Sequence, residues 1–299
     1  MSLKQGYLAA VAAGRMASHL KQQEQYSMAV PTKILVATDL TARADRPFAR
    51  AKLLADIWNA ARTLLFVSSP KTEVDIAKVE AQLLRNYGAD AEGCNLAINY
   101  GKPPQVIAET AEQLDSELIV VGAARHNNIS DFFLGTAVDH LVHHARSPVL
   151  IVKERPRANY DRILVATDFS EFSAHALRTA LDFFPAAKIE LVHAYHVAYE
   201  AWLKSDGIAD EMRSDAEKEL QDFMTGLNLP ESDASRVTPH LVEGNLHQSV
   251  HNMLDSGDFD LLVLGTHGRG GFVMATIGSR ASEMMGWSPV DVLMVRKPA

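Results

Sequence analysis

The sequence predicts an α/β fold of two tandem, doubly wound domains, each on a five-stranded parallel sheet. Three observations carry that expectation. Short aliphatic runs alternate with segments of helical apolar period along the chain. The alternation then occurs again, with RILVATDFS from Arg162 copying KILVATDLT from Lys33 almost residue for residue. The stretches between runs are long enough to hold helices, which parallel strands require and hairpins do not. A repeat of this length is a duplicated domain rather than a solenoid unit.

Taken in order, residues 1–30 carry little core pattern and are expected to form a loosely tied N-terminal extension. KILVATD from Lys33 reads as a buried strand. Phe48, Ala51, Leu54, Ala55 and Trp58 then fall at helical spacing. Arg62 to Val67 reads as a second strand, and Val74 to Tyr87 as a helix closed by Gly88. Ala91 to Asn99 reads as a third strand, which puts Cys94 in its middle. Gly101, Pro103 and Pro104 turn into a helix that runs to about Leu114. Glu117 to Val121 is the fourth strand, ending at Gly122; Phe133 to Ala145 is a helix, and SPVLIVK from Ser147 the fifth strand. The first domain is thus expected over 31–153. Glu154 to Tyr160, polar and broken by Pro156, is the linker, and the second copy fills 161–299.

The copy is close. Gly244 to Gly265 matches Gly101 to Gly122 without a gap, and SPV at Ser288 repeats SPV at Ser147. The second half has a longer middle around Tyr195 to Gly226. Phe183, Phe184, Met212, Leu220 and Met224 read as core and helix packing. Tyr195, Tyr199 and Trp202 are not explained by packing and are candidates for a groove wall or a lid.

Composition narrows the function classes. A net charge of −8 argues against a nucleic-acid binder, which needs a basic face. Cys94 is the single cysteine, so no internal disulfide or cysteine metal cluster can form, and a reducing, cytoplasmic setting fits. Apolar runs such as Leu118 to Ala124 are far short of the ~18–20 residues that a membrane span needs.

The most informative stretch is LLVLGTHGRGGFVMATIGSR, Leu261 to Arg280. It reads as a buried strand, a glycine-rich loop and a helix start at Gly278 and Ser279. Free N–H groups and the positive end of the helix dipole make such a junction an anion site, and Arg269 and Arg280 add charge beside it. The familiar alternatives fail. No Gly-Lys-Ser/Thr occurs anywhere, and the first strand–helix turn of the copy, Asp168 to Phe172, has no glycine.

The element order, strands ending in VATD, and the spacing of Gly265, Gly268, Gly278 and Ser279 together resemble the universal stress protein family in its tandem form. The resemblance covers both halves, and it implies the adenine nucleotide alpha hydrolase-like fold. It also implies that ATP, with or without magnesium, binds in the second half. By position, Ala166, Thr167 and Asp168 after strand one, with Ala194 after His193, would line the adenine and ribose. Gly265, Gly268, Arg269, Gly278, Ser279 and Arg280 would hold the phosphates. The resemblance further implies that end strands pair, so the two halves should form an internal pseudo-dimer, and two chains are expected to pair further. The implied role is a nucleotide-dependent regulator in the stress response.

The first half departs from the pattern. Arg125 stands at the place of Gly268, Asn127 and Asn128 replace Gly270 and Gly271, and Asp131 adds a negative charge. A side chain where backbone must approach closely obstructs phosphates, so the first half is expected not to bind ATP. Other readings stay open at this stage. Asp39 and Asp168 could simply cap the turns that follow them. His140, His143 and His144, like His247 and His251, share helical faces but read as ordinary histidines rather than zinc ligands. No nucleophile elbow or dedicated general base is visible. A slow ATPase, or a carrier of a small or lipid-type ligand in the same cleft, are the alternatives.

Overall fold

The computed structural model describes residues 30–41, 44–69, 74–123, 136–195, 206–268 and 278–297. The expectations for the N-terminal extension, Tyr199, Trp202 and the loop residues Arg125 to Asp131 lie outside these. The first half runs β1 (Lys33–Thr38), α1 (Asp45–Trp58), β2 (Ala61–Ser68), α2 (Ile76–Tyr87), β3 (Cys94–Tyr100), α3 (Pro103–Gln113), β4 (Leu118–Gly122), α4 (Thr136–His144) and β5 (Val149–Val152). The second runs β6 (Arg162–Ala166), α5 (Glu171–Phe183), β7 (Lys188–Tyr195), α6 (Asp206–Leu227), α7 (Glu231–Ala234), β8 (Val237–Glu243), α8 (Leu246–Ser256), β9 (Leu261–Gly265), α9 (Ser279–Trp287) and β10 (Asp291–Val295).

All ten strands form one sheet, in the order β3-β2-β1-β4-β5-β10-β9-β6-β7-β8. Within each half the pairs are parallel; the halves join where β5 and β10 pair antiparallel, Leu150 opposite Leu293. Both joining strands are buried along their whole length, so the edge that each half would leave open is closed by the other. Alternation along each strand then sends side chains to two faces. Ile34 and Val36 join one core layer and Leu35 the other, and each layer draws on both halves. On the first face α1 meets α5, with Trp58 edge-on to Phe183 and tilted against Phe184, 5.8 and 5.7 Å between ring centres.

Two expectations need correcting. Cys94 opens β3 rather than sitting inside it, because Gly88 to Ala91 form a 3-10 turn and Gly93 takes a positive φ of 71° before the strand. The two SPV tripeptides are not equivalent either. Val152 lies opposite Gly122 just as Val295 lies opposite Gly265, which sets Pro148, not Val149 or Leu150, at the place of Asp291. The second copy of SPV falls before its strand begins. The long middle of the second half is explained by α6, whose Leu220, Phe223 and Met224 pack on the core, as do the fully buried Phe183 and Phe184.

The exchange of Pro148 for Asp291 has consequences at the junction. Asp291 is 2% exposed and accepts from the Lys153 amide at 2.7 Å, the Glu154 amide at 3.2 Å and the Tyr160 hydroxyl at 2.6 Å. Arg50 of α1 pairs with it at 3.4 Å and lies over the Tyr160 ring at 4.0 Å. One carboxylate therefore ties together β5, the linker, α1 and β10.

Candidate functional site

The glycine stretch sits where parallel α/β sheets bind ligands, at the carboxyl ends of the strands. β9 ends at Gly265, and the Thr266 amide donates to Val295 O at 3.0 Å. The Gly278 amide donates back to Thr266 O at 3.0 Å, so the way into the loop and the way out are fastened together. α9 starts directly afterwards. Its N-cap, Gly278, is extended and supplies no side-chain cap to the first-turn N–H groups. Ser279 and Arg280 are exposed there. A helix of this length with a bare first turn presents partial positive charge to whatever lies in front of it.

Asp168 stands against Gly268. Its Oδ2 would stand 2.4 Å from a Cβ built on Gly268, so only glycine lets the carboxylate occupy that place. Its Oδ1 accepts from the Ser170 amide at 3.1 Å, which is the turn-capping role as well. Gly265 has a similar constraint, because a Cβ there would meet Phe172 O at 3.1 Å, under the first turn of α5. Ala166 and Thr167 are buried at the end of β6 and shape the crevice rather than line it openly. The Thr167 hydroxyl is already engaged, with Ser173 Oγ at 2.8 Å and the Phe169 amide at 3.0 Å. Ala194 is half-buried near the end of β7. Arg269 lies outside the described residues. The structure thus brings Asp168, Gly265, Gly268 and Gly278 together, with Ser279 and Arg280 at the rim.

Sequence reasoning missed one residue here. Phe169 has a φ of +60° and stacks on His193, ring centres 4.0 Å apart, with Phe223 of α6 at 5.2 Å. His193 Nδ1 donates to Thr167 O at 2.8 Å, which fixes the ring against the end of β6. Nothing in the residue type of Phe169 signals a left-handed backbone. His267, next to Gly268, is held below the ordinary histidine range by burial and then by Arg296.

The matching place in the first half is an open cleft of about 780 Å³. It is bounded by the ends of β1, β2, β4 and β5 and by the starts of α1, α3 and α4. α1 begins at Asp45, later after Asp39 than α5 begins after Asp168, and a Cβ built on Gly122 would lie 3.6 Å from the Pro47 ring. Asp39 Oδ1 accepts from the Thr41 amide and hydroxyl at 2.9 and 2.8 Å, so the capping role is present in this half too.

The histidine groups do packing work. The His140 and His144 rings lie tilted against each other, centres 4.0 Å apart, and His247 and His251 flank Trp287. Among the described residues, no group of three or more histidine, cysteine and acidic side chains could hold a metal ion. No described helix is long and apolar enough to cross a membrane.

The model of the universal stress protein family matches the chain twice, over residues 31–153 and 159–296. The chain belongs to the universal stress protein family. A universal stress protein of Mycolicibacterium smegmatis is 24% identical over 88% of this chain and 96% of its own length. One from Mycobacterium tuberculosis is 24% identical over 61% of this chain, which spans 63% of that relative's length. Among solved structures, a putative universal stress protein from Pseudomonas aeruginosa aligns with a TM-score of 0.66 at 18% identity, over 89% of this chain and 93% of that one. That likeness shows the fold over nearly the whole of both chains.

Proposed function

We propose that the second half binds ATP, taken up with magnesium, and that this universal stress protein acts in the stress response as a nucleotide-dependent regulator. The observation that carries the reading is the uncapped start of α9 at Gly278, fastened to Thr266 and set beside the Gly268–Asp168 contact. Backbone N–H groups there suit a phosphate chain, and Ser279 and Arg280 at the rim add a hydroxyl donor and a charge. In this reading Asp168 accepts from a ribose hydroxyl at the carboxyl end of β6. Half-buried Ala194 leaves room for a base at the end of β7. The described residues of the site are binding groups, and the proposed role is binding rather than turnover. Loop occupancy would alter the surface between Gly265 and Ser279, which is what a protein partner or a second copy of the chain would meet.

Thermal shift and calorimetry with ATP and magnesium test this. At a ligand concentration of 100 times Kd, binding stabilises the folded chain by about 2.7 kcal/mol. Gly278→Asp is the matched control. A Cβ at Gly278 meets nothing within 4 Å, and an N-cap aspartate takes the same N–H donors that phosphate would use. The variant should fold with stability within a few tenths of a kcal/mol and lose the ATP response. An unshifted wild-type melt, or a variant that responds as the wild type does, defeats the reading.

A further inference from the structure

We propose that the cleft of the first half is a second binding site, one that takes an uncharged, ring-containing apolar molecule and not a nucleoside triphosphate. The argument rests on comparing two copies of one fold. Strand registers place Phe66 where the second half has His193, and Ala123 where it has Thr266. The ungapped repeat places Pro104 where it has His247. At each of these positions a polar side chain has given way to an apolar one. Phe66, Val67 and Ala123 are nevertheless only half-buried, because the cleft leaves them open. Apolar surface kept facing a cavity of this size is the usual lining of a small-molecule pocket.

The polar groups bordering the cleft are already committed to the protein. Thr38 Oγ1 meets the Tyr87 hydroxyl at 3.2 Å and the Leu40 amide at 3.0 Å. Arg46 donates to Lys153 O, and the Lys153 ammonium donates to carbonyls of Met285, Gly286 and Ser288. Asp45 pairs with Arg155 at 2.7 Å, and Asp39 holds Thr41. Among the described residues, the two cations that border the cleft, Arg46 and Lys153, already donate to protein carbonyls, and the carboxylates of Asp39 and Asp45 stand beside them. A polyphosphate would have to displace those hydrogen bonds beside two carboxylates, whereas an uncharged ring would desolvate little polar surface. Phe66 and the rings of Pro47 and Pro104 supply flat faces for such a ligand.

The test uses the full chain and the neutral probe N-phenyl-1-naphthylamine, whose fluorescence rises in apolar sites. Saturable binding at one probe per chain is expected, undiminished by ATP. Ala123→Trp fills the cleft floor, and Val67→Glu sets a charge in its wall; each should weaken the probe by at least about tenfold. Two variants at half-buried positions guard against one failing to fold, which circular dichroism checks. Absent binding, binding unaffected by both variants, or displacement of the probe by ATP each overturns the proposal. Its failure is distinct from failure of the ATP reading, because the ATP response is scored separately on Gly278→Asp.

Discussion

At the scale of single residues, the crevice of the second half turns on one missing side chain. Gly268 is the residue that lets Asp168 stand where it does, with a would-be Cβ only 2.4 Å from Oδ2. Gly268→Ala must push the carboxylate aside, and its ATP affinity is expected to fall by about tenfold, an energy of about 1.4 kcal/mol read by calorimetry. Unchanged affinity would mean that Asp168 Oδ2 takes no part. The importance of Gly268 was legible, because its spacing from Gly265 and Gly278 marks a loop that tolerates no bulk. The left-handed backbone at Phe169 and Leu40 was not legible. In each case a threonine hydroxyl accepts from the amide of the left-handed residue, and that exchange depends on three-dimensional closure of the turn.

At the scale of elements, α9 is held at its far end by the other half. The Lys153 ammonium, at the end of β5, donates to the carbonyls of Met285 at 2.8 Å, Gly286 at 3.4 Å and Ser288 at 2.5 Å. A cation at the C-terminus opposes the negative end of the helix dipole and satisfies carbonyls that the helix leaves free. Burial lowers the Lys153 pKa from 10.5 to about 8, although Asp291 acts in the opposite direction. Between about 8 and 10.5 the unfolded chain therefore binds more protons at this site than the folded one. Stability should then rise with pH across that window, by up to about 1.4 kcal/mol per pH unit from this group. Urea melts of wild type and Lys153→Met, compared pH by pH, isolate it; identical slopes in the two chains would remove the assignment. The sequence showed α9 beginning at Gly278, but a lysine from the other repeat as its C-terminal cap could not be seen without the sheet order.

At the scale of the whole molecule, the two halves share one sheet and two continuous core layers, and Asp291 fastens them at the centre. Asp291→Ala leaves the Arg50 charge and the Tyr160 hydroxyl buried without their partner. That should cost about 3–5 kcal/mol in urea denaturation, the usual penalty for breaking a buried pair from one side. A loss near zero would show that the β5–β10 pairing alone holds the junction. The repeat made two similar halves legible, and the aliphatic end strands pointed to their pairing. The anchor itself stayed hidden because the repeated SPV tripeptide suggested a register in which Asp291 has no special place.

The sequence by itself determined what depends on local period and composition. Strand runs, crossover helices, the duplication and the glycine spacing after β9 are all written in residue order, because backbone geometry at those points is set by neighbours along the chain. Tertiary structure decided what depends on residues far apart meeting. It put Asp168 against Gly268, set Lys153 under α9, and buried Asp291 between the halves. It also left the first half with an open, apolar cleft where the sequence had suggested only an impaired loop. A cleft is the space between elements, and its size follows from where α1 begins and how α3 and α4 pack, which no single stretch of sequence specifies.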